Sequence, residues 1–402
     1  MKLYQRHLLR QLEQTLSNNK SVLLLGPRQV GKSTLIRDTL SKKYSFDTIL
    51  LQDPQQRIKY EKDPSQLIRE YELSNSSNLI YVDEIQKVPS LFDSIQYLID
   101  EHKKQFILTG SSARKLRRSH SNLLPGRLIL HKLDPLMWGE LGLSKKSYIP
   151  EIGLKNFQGL DGQTPNDLMV YGSLPEIISI SSDLKKPLLR SYSTVYLEEE
   201  IRAEALSRNI GIFSSFLQLA ASESGSCPNF TNISNQTGIS LITVKEYYQI
   251  LFDTLIIHKL PPFIKKSRRR ISKSSKYYFF DIGVRNAIAD FPIEDNLSNI
   301  DKGLLFEHFI VLEIFRRQNL TNDFNLYYWR TQSGLEVDLI IEKDKAFIPI
   351  EIKSGSNIKL KNLSGLIAFM EEYEIKKGYV VSMDEKPYRL DDRITVIPWN
   401  YL

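Results

Sequence analysis

Residues 26–34 read Gly-Pro-Arg-Gln-Val-Gly-Lys-Ser-Thr, with four residues between Gly26 and Gly31 and then Lys32 and Ser33. That spacing suits phosphate chemistry. Glycines let successive backbone N–H groups curl around phosphate oxygens, and a helix beginning at Lys32 would aim its partly positive amino end at the same charge. In such a loop Gly26, Pro27, Arg28, Gln29, Val30, Gly31, Lys32, Ser33 and Thr34 form the cradle. The Lys32 ammonium would reach the β- and γ-phosphates, and the Ser33 hydroxyl would be a ligand for Mg²⁺. Arg28 is a further candidate for phosphate contact. ATP and Mg²⁺ are the ligands this pattern calls for.

Hydrolysis needs carboxylates as well. Residues 79–84, Leu-Ile-Tyr-Val-Asp-Glu, end an apolar run in two acids. Asp83 is expected to hold the hydrated Mg²⁺ and Glu84 to act as general base on water. Residues 106–112, Phe-Ile-Leu-Thr-Gly-Ser-Ser, end another run in hydroxyls. Thr109 and Ser111 could orient the water and the γ-phosphate, although Thr-Gly-Ser is also ordinary turn chemistry. Arg127 follows Pro125-Gly126. It could act across a subunit interface as a finger on the γ-phosphate, which implies a homo-oligomer, or be a plain salt-bridged arginine.

Those residues need a scaffold that brings them to one edge. Short apolar runs at 22–25, 48–51, 79–82, 106–108 and 128–130 alternate with helical stretches. This predicts an α/β fold with a parallel sheet and helices on both faces, its loops gathered at the carboxyl ends of the strands. Residues 1–134 are expected to form this phosphate-binding core.

From 135 to 210 the pattern is mostly helical. Residues 211–275 suggest a small helix-turn-helix unit with a following wing strand, Gly238 making the turn; a plain helical packing module fits the same pattern. The lysine- and arginine-rich stretch 265–276 could line a nucleic-acid backbone or simply be a solvated loop. Residues 276–402 read as a second α/β domain. There period-two alternation puts Glu351 and Lys353 on one face of a strand, and Asp338, on the neighbouring strand, could lie beside them. Glu307, on the preceding helix, could complete the group. Carboxylates with a lysine suit Mg²⁺-assisted phosphodiester hydrolysis, with Glu307, Asp338 and Glu351 as metal ligands and Lys353 steadying the water. A nuclease fold without activity and a surface hairpin of paired charges are the alternatives.

The chain has 402 residues, 41% hydrophobic and 25% charged, with a net charge of +7. This composition is that of an ordinary globular protein. Its one cysteine, Cys227, excludes an internal disulfide and any cysteine-rich metal site, and fits a cytoplasmic location. No apolar run approaches the roughly 20 residues a bilayer-crossing helix needs, so no membrane partner is expected. The modest basicity permits DNA as a partner without requiring it.

Taken together, these segments resemble a widespread group of prokaryotic AAA-type ATPases whose terminal domain is restriction-endonuclease-like and of uncharacterised function. The resemblance runs through the loop at 26–34, the acids at 80–86, the hydroxyl segment 107–112 and Pro-Gly-Arg at 125–127. It continues through Leu-Asp-Pro-Leu-Met-Trp-Gly-Glu-Leu at 133–141, Tyr-Gly-Ser-Leu-Pro-Glu at 171–176, residues 328–338 and Ile-Glu-Ile-Lys-Ser-Gly at 350–355. It implies a P-loop ATPase core, a winged-helix connector and a terminal domain of the PD-(D/E)xK type. ATP turnover would then be coupled to DNA or a protein partner, with a slow nucleotide-gated switch or an ATP-controlled nuclease as alternatives. One departure lies at Tyr196-Leu197, which Glu198, Glu199 and Glu200 follow where those ATPases usually carry an aspartate.

Overall fold

The computed structural model describes residues 3–72, 78–112, 124–154, 157, 163–192, 210–264, 274–291 and 299–402. The acids at 198–200 and most of the basic stretch, 265–273, lie outside the described residues. The chain divides into two compact units. The first is Met1–Pro135 with Gln249–Ile256; the second is Leu136–Tyr248 with Ile257–Leu402.

The first unit carries the five expected strands: β1 (Ser21–Leu25), β2 (Asp47–Leu50), β3 (Leu79–Asp83), β4 (Gln105–Gly110) and β5 (Leu128–Lys132). All neighbours are parallel, and the spatial order is β2-β3-β4-β1-β5. Strands covered on both faces read as unbroken apolar runs rather than alternating ones. Every residue of β1 and of β3 is buried accordingly. Helix Leu91–Asp100 lays Leu91, Phe92, Ile95 and Leu98 onto Leu23, Ile80, Val82, Phe106 and Leu108. Each such side chain contributes about 1.5–3 kcal/mol by leaving water. Strand β5 differs: it is the sheet edge, and Ile129 and Leu130 stay exposed.

The strand order is what positions the chemistry. Strand β4 stands between β1, which leads into the phosphate loop, and β3, which ends in Asp83. The two halves of the motif are therefore not on adjacent strands, and the end of β4 must bridge them.

In the second unit, Tyr171-Gly172-Ser173 is a tight crossing. Helix Pro165–Tyr171 starts at a capping box between Thr164 and Asp167. Gly172 follows at φ 73°, and a Cβ there would lie 2.0 Å from Asp281 Oδ1. The buried Asp281 carboxylate accepts from Ser173 N at 2.8 Å and caps helix Ile282–Ile288 through Val284 N at 3.1 Å. Only glycine fits this meeting of chain and carboxylate.

Helices Ile210–Ser222, Phe230–Thr237 and Leu241–Asp253 follow, with Gly238 at φ 71° as the turn. Strands β6 (Ile257–Leu260) and β7 (Lys276–Phe279) then pair antiparallel. A six-stranded mixed sheet completes the unit, in the order β12-β13-β11-β10-β9-β8. Its strands are β8 (Asn325–Arg330), β9 (Glu336–Lys343), β10 (Ala346–Lys353), β11 (Gly378–Ser382), β12 (Tyr388–Arg389) and β13 (Ile394–Pro398). The two-residue β12 gives too short a run for the sequence to reveal. Among the described residues no helix is long and apolar enough to cross a membrane.

Candidate functional site

The phosphate loop leaves β1 at Leu25 and enters a helix at Lys32. Gln29 (φ 60°) and Gly31 (φ 94°) turn the chain in left-handed conformations. Gly26 packs so closely that a Cβ would sit 2.2 Å from Leu133 O. Lys32 is buried, and its Nζ donates to Gly26 O at 2.8 Å and Pro27 O at 2.9 Å, so the ammonium curls back over its own loop. Residues 35–39 widen into a π-helical turn, a distortion frequent beside functional sites.

Opposite the loop, Ser33 Oγ lies 3.3 Å from each Asp83 carboxylate oxygen. Asp83 Oδ1 also accepts from Tyr81 OH at 2.7 Å and from Thr109 Oγ1 at 2.6 Å. Burial, with Asp83 next to it, raises the Tyr81 phenol above its ordinary pKa and keeps it a donor. Thr109 is fully buried at the end of β4 and also accepts from Glu84 N at 3.2 Å. Its hydroxyl thus clamps the β3 end rather than standing open toward a phosphate. This bridging duty follows from the strand order and was not visible in the sequence.

Glu84 takes a left-handed conformation, φ 59° and ψ 49°, which costs a side-chain-bearing residue about 1–2 kcal/mol. The twist swings its carboxylate away from Asp83. Glu84 Oε2 accepts from Gln86 Nε2 and, at 3.2 Å, from Ser111 Oγ. Gln86 Nε2 donates to Ser111 Oγ at 2.9 Å as well. Gly110 makes room for this group, since a Cβ there would lie 2.8 Å from Gln86 Oε1. Gln86 is the residue sequence reading missed; its only signal was a polar side chain two positions past Glu84.

Arg127 lies elsewhere. Strands β1 and β5 are parallel with Ser21 opposite Leu128, so Arg127 sits at the amino edge of the sheet while the loop follows its carboxyl edge. Its guanidinium forks onto Asp100, Nε to Oδ1 at 2.6 Å and Nη2 to Oδ2 at 2.8 Å. Within its own chain it is no part of the phosphate site.

The second unit gathers the other candidate residues. Register sets Ile350 opposite Leu339, which brings Asp338 beside the end of β10, where Ile352 N donates to Asp338 Oδ2 at 2.7 Å. Lys353 Nζ bonds Glu351 Oε1 at 2.6 Å, and Glu351 Oε2 is buried without a hydrogen bond. Burial, then the negative charges of Glu351 and Glu307, push the Asp338 carboxyl well above the usual carboxylate range. Burial does the same to Glu351 against the pull of Lys353.

Glu307 is where expectation and structure part. Its Oε1 accepts from Lys276 Nζ at 2.9 Å and from Tyr278 OH at 2.8 Å. Among the described residues no three His, Cys, Asp or Glu side chains are arranged to hold a metal ion. The expected Glu307–Asp338–Glu351 ligand set therefore shares a neighbourhood without forming a ready metal cage, because an ammonium already occupies Glu307.

Residues 18–142 match a family described as an AAA domain. Residues 163–295 and 302–402 match two domains of unknown function, DUF8612 and DUF4143. The terminal match is thus to a domain without assigned activity and lends no support to the restriction-endonuclease resemblance. An uncharacterized protein of Mycobacterium tuberculosis is 25% identical over 393 residues, 96% of this chain and 82% of that one. Among solved structures, the Walker-type ATPase of Pyrococcus abyssi is 16% identical, with TM-score 0.48, covering 71% of this chain and 96% of that one. The replication initiator DnaA bound to AMPPCP and single-stranded DNA is 14% identical, with TM-score 0.32, covering 62% and 88%. Residues 18–142, which hold the loop at 26–34 and the two acids, are thus similar to an AAA domain.

Proposed function

We propose that the first unit binds ATP with Mg²⁺ and hydrolyses it. The observation that carries this reading is the meeting of Ser33, Asp83 and Thr109 beside the loop at 26–34, with Ser33 Oγ 3.3 Å from both Asp83 oxygens. The donors there are all oxygen, which suits Mg²⁺. Ser33 and Asp83 would hold the ion, Asp83 through its water shell. Bound Mg²⁺ would neutralise charge on the β- and γ-phosphate oxygens.

The chain's own residues do the rest. Backbone N–H groups between Arg28 and Thr34 grip the phosphates, since Pro27 has none and Gly26 N donates to Gly110 O. Lys32 leaves Gly26 O and Pro27 O to meet the γ-phosphate and the charge developing on the leaving oxygen. Glu84 takes a proton from water as the water oxygen bonds phosphorus and the β–γ bridging P–O bond breaks. Tyr81 and Thr109 fix the Asp83 carboxylate. ATP turnover in Mg²⁺ tests this: Lys32→Ala should lower it roughly 10²–10³-fold, the range for removing one transition-state donor. Equal turnover with and without Lys32 sinks the reading.

A specific observation favours a slower, gated variant. Both working side chains are hydrogen-bonded to the protein itself, Lys32 to its loop and Glu84 to Gln86 and Ser111. Lys32 would have to leave Gly26 O and Pro27 O to meet a phosphate, which gives the site two arrangements. Stoichiometric nucleotide carried through gel filtration with negligible turnover would establish that variant.

The partner reading rests on less. The helix–turn–helix order at 230–253 followed by the β6–β7 pair supports DNA as the object of ATP-driven change, with a protein partner as the alternative. Duplex DNA affinity that does not fall as salt rises would count against it. Arg127 as a finger in trans requires a homo-oligomer, which light scattering decides. The nuclease alternative has the weakest support, since Lys276 holds Glu307.

A further inference from the structure

We propose that the Lys276 ammonium takes the place of a metal ion in the carboxylate cluster of the second unit, which leaves that cluster closed to divalent cations. Four acids meet there: Glu307 from helix Asn299–Thr321, Glu336 and Asp338 from β9, and Glu351 from β10. Lys276, at the head of β7, is only 5% exposed. Its Nζ lies 2.9 Å from Glu307 Oε1 and 2.7 Å from Glu336 Oε1. The Tyr328 ring lies 5.5 Å from the same ammonium. Two carboxylates from different elements thus converge on one buried cation, which is the geometry a metal ion would demand, met by a side chain instead.

The remainder explains the exclusion. With Glu307 and Glu336 spent on Lys276, only Asp338 and Glu351 are left. Lys353 takes one Glu351 oxygen, and Glu351 Oε2 stays buried and unbonded. That orphan oxygen marks an open position. Yet an arriving divalent ion would meet the Lys353 ammonium on Glu351, one of its own ligands, and the Lys276 ammonium on the neighbouring acids of the same cluster. An ion repelled by both, with two carboxylates to hold it, does not stay. Burial opposes the charge on Lys276, and Tyr278 and the acids around it more than restore it. This inference is independent of the ATP reading, which concerns the other unit.

Mn²⁺ titration of the full chain without nucleotide tests it, comparing wild type, Asp338→Asn, Lys276→Met and the double variant. Asn keeps an oxygen for Ile352 N, so Asp338→Asn preserves the local fold. Wild type and Asp338→Asn should bind Mn²⁺ alike. Lys276→Met, which removes the ammonium from Glu307 and leaves Glu336 only its contact with Arg330, should bind one Mn²⁺ ion more than wild type, and the double variant should lose it. A wild-type ion that Asp338→Asn abolishes would overturn the proposal. So would Mn²⁺-dependent DNA cleavage by wild type that Asp338→Asn removes, or a folded Lys276→Met that gains nothing. If Lys276→Met does not fold, the comparison of wild type with Asp338→Asn decides alone.

Discussion

Both units place acids and a lysine at the ends of strands, yet the charges are bonded differently. In the first unit, among the described residues, Asp83 is met by three hydroxyls, those of Ser33, Tyr81 and Thr109. Glu84 is met by an amide and a hydroxyl. Hydroxyls and amides orient a carboxylate without cancelling its charge, so the site keeps its appetite for a cation. In the second unit Glu307, Glu336 and Glu351 are paired with ammonium groups at 2.6–2.9 Å. On the readings proposed above, the same residue types make a reactive centre in one place and an internally neutralised cluster in the other. What differs is whether the positive charge is built in or must be brought.

This contrast is sharpest at Glu84, the proposed general base. Glu84→Gln keeps the shape and the bonds to Gln86 and Ser111 but removes the proton acceptor. Turnover should fall roughly 10²–10⁴-fold, the usual worth of positioned acid–base catalysis, with ATP affinity retained. Single-turnover assays with labelled ATP measure it. If turnover survives, Glu84 is not the base and the orienting bonds of the first unit have another purpose.

The supporting hydroxyl comes next. Thr109→Val preserves volume and removes the 2.6 Å bond to Asp83 Oδ1. Lost support of this kind typically costs about 10–100-fold in metal affinity or activity. The expected signature is a raised Mg²⁺ requirement, with the chain still folded by thermal melting. A loss that extra Mg²⁺ cannot reduce would instead place Thr109 against substrate, as its position at a strand end first suggested.

These residues also mark how far the sequence carried the reading. All five strands of the first sheet were legible, because unbroken apolar runs between polar segments have few other uses. Gly26, Lys32, Ser33, Asp83 and Glu84 stood out in the sequence because phosphate chemistry calls for their spacing, and the structure brings Ser33 and Asp83 together. The order of the strands was not. It depends on which crossovers pack, and it turned Thr109 from a phosphate sensor into a clamp. Arg127 read as a finger because Pro-Gly-Arg says nothing of which sheet edge it occupies; Asp100 holds it at the far one. In the second unit, Asp338, Glu351 and Lys353 were legible from strand alternation. Lys276 was not, for it reaches Glu307 across 31 positions of sequence. A lysine heading an apolar strand was the one local hint.

The smallest expected effect tests the second half of the comparison through acidity alone. Burial, then Glu351 and Glu307, raise the Asp338 carboxyl well above its ordinary value near 3.8, against Lys276 and Lys353. The folded chain therefore holds a proton on Asp338 in a range where the unfolded chain has released it. In that range the folded state binds more protons, so its stability falls as pH rises. The contribution is fully present below the unfolded value and is lost from there up to the raised folded one. Asp338→Asn mimics the protonated form at every pH and should flatten the slope. Urea unfolding of both chains at stepped pH should show wild type losing ground to Asp338→Asn as pH climbs from about 4. A difference independent of pH would mean that the neighbouring ammonium groups already offset the carboxylate in full, a stronger neutralisation than the cluster's geometry implies.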